Sequence, residues 1–223
     1  MKVLSFGCYA ILSLSLCLWT GQASADLLQD SGFENNPNTA WSVFGNGFPD
    51  EAAPGIDALF EESESLKMFG NFSGGQNFTG AFQDVAVDGV NVKVGDLVQL
   101  SGFIAQLSTD SLSEPNVAFL ELTWVDTDPG GLGEFGFGAN KSADFTSANA
   151  ADNWEFFITA GAFVPVEAEF VRAKAVFVQD SNAGGAAWVD NVSLVNLSAI
   201  PEPGAATALV MVGLTAFSRR RRS

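Results

Sequence analysis

The sequence predicts an all-β fold built as a single jelly-roll β-sandwich. Apolar and polar residues alternate with a period of two in several short segments, and Gly, Asn, Asp and Ser turns separate those segments. No window in the body of the chain combines a helical period with helix caps. A jelly roll is the expected form because its two sheets hide most strand edges. The 173 residues from Asp26 to Ser198 are enough for one domain with a full core.

The alternation marks six strands. They are Ala81–Val87, Val98–Ala105, Ala118–Val125, Trp154–Thr159, Phe170–Val178 and Trp188–Leu197. In the third of these, Leu120, Leu122 and Trp124 fall on one face, as a half-buried strand requires. In the fifth, Arg172 and Lys174 are expected to face water. Loops are expected at residues 35–38, 128–133 and 181–185, where Gly, Pro, Asn and Asp are concentrated.

The first 25 residues are predicted to be a secretory signal peptide. Lys2 supplies a positive start, Val3–Trp19 is mostly apolar, and Ala23 and Ala25 form a small-x-small cleavage site. We therefore expect the mature chain to begin at Asp26. The alternative is an uncleaved N-terminal anchor, against which the cleavage site itself argues.

The last 25 residues are predicted to be a membrane segment that ends in a cluster of cations. Ile200–Phe217 comprises 18 residues, close to the lower limit of about 17 for a spanning helix. Four arginines follow it, and such a cluster stays on the cytoplasmic side of the membrane. The sequence before it is then expected to lie across the membrane. An ordinary C-terminal tail anchor is the alternative.

The order of features in residues 199–223 resembles the PEP-CTERM sorting signal of Gram-negative bacteria. The residues that carry the resemblance are Pro201, Glu202, Pro203, Arg219, Arg220, Arg221 and Arg222. The resemblance implies that an exosortase-type protease cleaves near the Pro-Glu-Pro. It also implies transient residence in the inner membrane and a final position at the cell surface or outside the cell, in bacteria that make exopolysaccharide.

The composition between the two ends excludes several kinds of function. Residues 26–200 contain no His, Cys or Tyr, and they carry 25 acidic against 5 basic side chains, a net charge of −20. Such a charge disfavours nucleic acid. Ser-His-Asp and Cys-His catalysis and zinc sites built on imidazole or thiolate are excluded. A carboxylate pair could still serve a glycosidase, but no pair stands out, and we expect no enzyme.

The body resembles a galactose-binding-like carbohydrate-binding module. The resemblance rests on Leu27–Glu34 followed by Trp41, on Gln83–Val87, on Trp154, and on Trp188–Leu194 with its Val-Asp-Asn-Val. It covers residues 26–198, and it implies a non-catalytic module that contacts polysaccharide. It further implies a structural Ca²⁺ held by Glu34 and Asp190, with backbone carbonyls supplying most other oxygens. The alternative is that no calcium binds here, that Asp190 makes a local hydrogen bond and that Glu34 is solvated.

Sugar binding requires flat aromatic faces beside a few polar groups. Phe135 and Phe137 are candidates at a Gly-rich loop edge, although they also fit an inward strand face, and Trp41 is a third candidate. Trp124, Trp154 and Trp188 are expected in the core. Two other functions stay open. One is a structural or adhesive matrix protein without sugar specificity, and the other is a carboxylate-based polysaccharide hydrolase.

Overall fold

The described part of this chain contains eleven strands. The structure is a computed structural model. It describes residues 25–35, 39–51, 64–127 and 134–199, and only the backbone at residues 50, 51, 134, 135 and 137. The strands are β1 (Ser42–Phe44), β2 (Asn46–Glu51), β3 (Ser65–Phe69), β4 (Asn77–Ala86), β5 (Leu97–Ala105), β6 (Val117–Thr127), β7 (Glu134–Lys141), β8 (Glu155–Ile158), β9 (Ala162–Phe163), β10 (Phe170–Gln179) and β11 (Ala186–Asn196), followed by a short 3₁₀ helix, Leu197–Ala199.

The strands form two antiparallel sheets packed face to face. Sheet A has the order β1-β4-β10-β6-β7, and sheet B has the order β2-β3-β11-β5-β8, with β9 also paired to β5. The predicted all-β sandwich is therefore confirmed. All six predicted strands are present, as β4, β5, β6, β8, β10 and β11. The remaining strands escaped prediction because they are short or are interrupted, by Gly and Pro in β2 and by two Gly in β7.

The core lies between the sheets and follows the alternation of each strand. In β10, Val171, Ala173, Ala175 and Phe177 point inward and are buried. A second buried cluster lies on the outer side of sheet B, around Trp154 and Trp188. The three tryptophans expected in the core are buried as predicted, but two of them belong to this outer cluster.

The segment before β1 is attached along β11. Leu27 N donates to Leu194 O at 2.9 Å, and Val192 N donates to Ser31 O at 2.9 Å. Asp26 Oδ1 also accepts a hydrogen bond from Leu194 N, at 3.1 Å. These bonds join the start of the described domain to its last strand.

Residues 25–198 form one compact unit, in which Ala25 is exposed. Ala23 lies outside the described residues. The same holds for the predicted sorting residues, Pro201, Glu202, Pro203, Arg219, Arg220, Arg221 and Arg222. Among the residues that the structure describes, there is no helix with the length and hydropathy of a membrane span.

Candidate functional site

Trp41 is a core residue, which makes the prediction that its ring binds sugar wrong. It is only 4% exposed, and its ring lies 4.9 Å from that of the buried Phe33. Its Nε1 donates to Asp30 O at 2.9 Å. Both the face and the polar edge of the indole are thus engaged inside the domain. The Gly-Phe-Glu…Trp phrase of the sequence is a packing motif here.

Phe135 and Phe137 lie in β7, the edge strand of sheet A. In the register of β6 and β7, Phe135 is opposite Asp126 and Phe137 is opposite Trp124. The register shifts between Thr123 and Trp124, which marks a bulge in this edge strand. Their side chains lie outside what the structure describes, so their part in binding stays a prediction.

The outer surface of sheet A brings together aromatic and charged side chains from several strands. We call it the sheet A face and define it by Ser42, Phe44, Phe82, Asp84, Phe119, Glu121, Lys141, Arg172 and Lys174. The register aligns Ser42, Phe82, Lys174, Glu121 and Lys141 in one row across five strands. Asp84 and Arg172 are opposite each other in the adjacent row. Neighbouring rows are close enough for long side chains to meet.

Arg172 is fixed at the centre of the sheet A face. Its Nε and Nη2 each donate to an Asp84 carboxylate oxygen at 2.7 Å. Its guanidinium carbon lies 4.0 Å from the centroid of the Phe82 ring. The side chain is only 15% exposed, so the expectation that it simply faces water is corrected. A bidentate pair stacked on a ring is a rigid arrangement of donors beside an apolar plane.

Two lysines complete this face. Lys174 Nζ lies 2.7 Å from Glu121 Oε2, and both side chains are about four-fifths buried. Lys141 forms an ion pair with Asp144 and lies over the Phe119 ring, 3.8 Å from its centroid. The face therefore alternates aromatic planes with paired charges whose positions are set by neighbouring strands. Such a surface can offer an apolar plane and fixed hydrogen-bond partners to one polyhydroxylated ligand.

A depression of about 270 Å³ opens at the β1–β4 side of the sheet A face. Its lining includes Ser42, Phe82 and Asp84, together with Gln29 and Gln83. Gln83 is braced, because its Oε1 accepts from Gln29 N at 2.7 Å and its Nε2 donates to Gln29 O at 2.9 Å. The wall of the depression is therefore held by the N-terminal segment.

Glu34 and Asp190, the predicted calcium residues, belong to segments that meet beside β3. Glu34 Oε1 accepts a hydrogen bond from Glu64 N at 3.0 Å. The side chain of Glu64 has one carboxylate oxygen, Oε2, that is buried and has no hydrogen-bond partner among the described residues. Asp190 is buried, and its Oδ1 accepts from Asn191 N at 2.6 Å.

The fit of this region to calcium is partial. The described residues contain no group of three or more acidic, His or Cys side chains arranged to hold a metal. A buried carboxylate oxygen without a partner is nonetheless what a hard cation would satisfy. Binding of calcium by Glu34 and Asp190 therefore stays a prediction.

The sequence did not point to Phe82, Asp84, Glu121 or Lys141 as site residues. Phe82 and Glu121 lie in ordinary alternating segments, and Asp84 lies in the Gln83–Val87 phrase, which indicated a fold and not a binding residue. The one signal in the sequence was the scarcity of cations, because residues 26–200 contain only five. The structure places three of these five on the sheet A face. Arg172 and Lys174 were noticed as outward residues, but strand order, which decides their partners, is not local information.

Comparison with known proteins gives structural neighbours only. No family model matches this chain. No curated protein matches it either. TmCBM61, solved with β-1,4-galactotriose, has a TM-score of 0.47 and 13% identity, covering 78% of this chain and 99% of its own. A xylan-binding CBM22 domain has a TM-score of 0.49 and 14% identity, covering 80% and 100%. The CBM22-1 xylan-binding domain of Paenibacillus barcinonensis has a TM-score of 0.45 and 15% identity, covering 80% and 98%.

Proposed function

We propose that this chain is an exported bacterial surface or matrix protein whose jelly-roll domain binds polysaccharide without cleaving it. The observation that carries the proposal is the sheet A face, where Phe82 and Arg172 stack beside the Asp84 carboxylate. Sugar rings present C–H groups on their faces and hydroxyls on their edges, so they require an aromatic plane beside polar groups.

The ion pairs on this face favour binding by fixing side chains in advance. Arg172 and Lys174 are each held by a carboxylate at 2.7 Å. A long side chain that is already ordered loses less conformational entropy when a ligand binds. The net charge of −16 opposes polyanions, which makes a neutral polysaccharide the expected ligand.

Catalysis is not part of the proposal. Asp84 and Glu121, the carboxylates of this face, are both engaged with cations. A glycosidase needs one carboxyl group to deliver a proton and a second to act as nucleophile or base. Two carboxylates locked in separate ion pairs suit a rigid binding surface better than either role.

We also propose that calcium binds near Glu34, Glu64 and Asp190. Its role would be to tie the N-terminal segment to β3 and β11. The support is the buried Glu64 Oε2, which no described residue hydrogen-bonds, together with the resemblance of the sequence to carbohydrate-binding modules. Export and exosortase sorting, proposed from the two chain ends, complete this function.

The test is binding of the purified full chain to soluble xylan, galactan, glucan and mannan by affinity electrophoresis and calorimetry. Replacing both Phe44 and Phe82 by Ala removes two rings of the sheet A face and should weaken binding at least about tenfold. Phe163→Ala is the matched control, because Phe163 is 69% exposed on β9, in the other sheet.

Absence of retardation by all four polysaccharides and by the extracted exopolysaccharide would exclude this function and favour a matrix protein without sugar specificity. Release of reducing sugar that depends on Asp84 or Glu121 would instead favour the hydrolase.

A further inference from the structure

The outer surface of sheet B carries a second aromatic and charged surface. We call it the sheet B face and define it by Phe48, Lys67, Phe69, Phe72 and Asp110. Because the core lies between the sheets, this face and the sheet A face point to opposite sides of the domain. Nothing in the proposed binding at sheet A uses these residues.

Two stacked rings form the flat part of the sheet B face. Phe48 is 46% exposed, and its ring is parallel to that of Phe69, with an interplanar angle of 2° and centroids 5.5 Å apart. Lys67 lies opposite Phe48 in the β2–β3 register. Its Nζ is 5.2 Å from the centroid of the buried Trp188 ring and 6.0 Å from that of Phe69. An exposed aromatic plane is thus flanked by a fixed cation.

The flat part ends in a depression of about 220 Å³. Its lining is Lys67, Phe69, Phe72, Asp110 and Gly185. Phe72 is 50% exposed, and its φ of +54° lies in the left-handed region that residues other than glycine rarely adopt. The depression therefore combines two aromatic rings, an ammonium and a carboxylate, contributed by β3 and two loops, and Gly185 from a third loop completes its lining.

A buried amide holds the Phe72 loop in this position. Gln179 is fully buried, its Oε1 accepts from Phe72 N at 2.9 Å, and its Nε2 donates to Ala183 O at 2.7 Å. A Cβ on Gly70 would lie 1.9 Å from Cδ of Gln179, so only glycine fits beside that amide. One buried side chain thereby fixes two of the loops that line the depression.

The loop that carries Asp110 is fixed from two sides. Ala186 N donates to Asp110 O at 3.1 Å, and Ser108 N donates to the Asp152 carboxylate at 2.8 Å. Gly185, with a φ of +98°, passes so close to this loop that a Cβ would lie 2.2 Å from Ser111 O. The lining residues are therefore ordered before any ligand arrives, which lowers the entropic cost of binding.

We propose that the sheet B face is a second binding site for neutral sugar, which makes the domain bivalent and able to cross-link polysaccharide chains. This inference rests on the proposed function. A neutral glycan is the occupant that the charges favour. Lys67 and Asp110 together add no net charge, while the chain's net charge of −16 repels a polyanion or a second copy of itself. The stacked rings pack against the C–H face of a sugar, the Lys67 ammonium donates to its hydroxyl oxygens, and the Asp110 carboxylate accepts from its hydroxyl groups.

Cross-linking of soluble xylan, galactan, glucan and mannan by the full chain tests this inference, with light scattering measured across a range of protein-to-polysaccharide ratios. Wild type should give a scattering maximum at an intermediate ratio with at least one of the four. The double variant Phe48→Ala/Phe72→Ala should abolish that maximum yet keep monovalent retardation in affinity gels. Phe44→Ala/Phe82→Ala should also abolish it, and Phe163→Ala should not.

Asp110→Asn is the second variant, because it removes the charge of the carboxylate and leaves the loop otherwise unchanged. The protein concentration needed to reach the scattering maximum should rise at least about tenfold. Unchanged far-ultraviolet circular dichroism confirms that each variant is folded. Wild-type scattering in both sheet B variants would overturn the inference and leave the proposed function standing. Binding without a scattering maximum in wild type would do the same. No binding by wild type would overturn both.

Discussion

Phe82 shows how one side chain comes to serve a surface that its own sequence neighbours do not reveal. Its ring is packed by Arg172 at 4.0 Å and lies 6.5 Å from the Phe44 ring. These partners come from β10 and β1, about ninety and forty positions away along the chain. The ring is therefore held as a plane between two other strands, which is the property that a sugar-binding surface requires.

Thr123 gives a prediction at the residue scale. Thr123 lies on the outer side of sheet A, opposite Arg172 in the register, and its Oγ1 is buried without a hydrogen-bond partner among the described residues. A buried hydroxyl without a partner costs about 1–3 kcal/mol. Thr123→Val keeps the shape and the β-branch and removes that oxygen, so we expect stability to rise by about 1 kcal/mol in urea denaturation.

Thr123→Ser is the matched control for this prediction. It keeps the hydroxyl and removes a buried methyl group, so stability should fall by about 1 kcal/mol. A loss of stability in Thr123→Val would contradict the prediction. It would mean that the hydroxyl has a partner, such as a buried water molecule.

At the scale of the element, β11 connects the two ends of the domain. Its register with β5 shifts between Asp190 and Ser193, and Asn191 has a φ of +47°. The bulge lets Val192 point into the core although Asp190, two residues earlier, lies on the opposite side. Past the bulge, Val192 and Leu194 hold the N-terminal segment. Val-Asp-Asn-Val is thus the sequence of a bulge that docks the chain's own beginning.

The proposed calcium ion would act at this element. If it binds only the folded state, saturation at about a hundred times its dissociation constant adds about 2.7 kcal/mol. For a domain of this size, that corresponds to about 5–10 °C. We therefore expect EDTA to lower the melting temperature by about that amount, and calcium to restore it.

Glu34→Gln tests the same site by a second route. Glu34 is exposed, and the Gln side chain keeps an oxygen that can accept the hydrogen bond from Glu64 N. This variant should lose most of the calcium-dependent shift while retaining the melting temperature of the chelated wild type. A melting temperature that EDTA leaves unchanged would remove calcium from the proposal, and the sugar-binding proposal would not be affected.

At the scale of the whole molecule, stability and solubility come from different parts of the chain. With both cysteines at positions 8 and 17, no disulfide can form between residues 26 and 200, so stability there depends on the sandwich core. The net charge of −20 over the same residues favours solubility, because copies of the chain repel one another. Three of the five cations in these residues, Lys141, Arg172 and Lys174, lie on the sheet A face.

Export is the prediction at this scale. Mass spectrometry of the extracellular and surface fractions should find a product that begins at Asp26 and ends near Pro203. Replacing Arg219–Arg222 by serine removes the cations proposed to halt translocation, so the membrane-bound precursor should disappear. Lys93→Ser is the control, because Lys93 lies in the folded unit. Intact full-length chain dissolved in the cytoplasm would contradict the prediction.

The sequence by itself determined the class of fold and most of the strands. Alternation along β5, β6 and β10 is a local signal, and it survives because each strand buries one face against the core. It also determined what the domain lacks, since a body without His or Cys excludes whole classes of chemistry. The burial of Trp124 followed from the same local pattern.

Only the tertiary structure decided which residues share a surface. Trp41 had the same local features as a binding residue, yet Phe33 and Asp30 O enclose it. Phe82, Arg172 and Phe44 meet because β4 lies between β1 and β10, and Phe48 meets Phe69 because β2 pairs with β3. Strand order and register arise from pairing between distant segments. For that reason a period of two can say that a side chain points outward, but not what lies beside it.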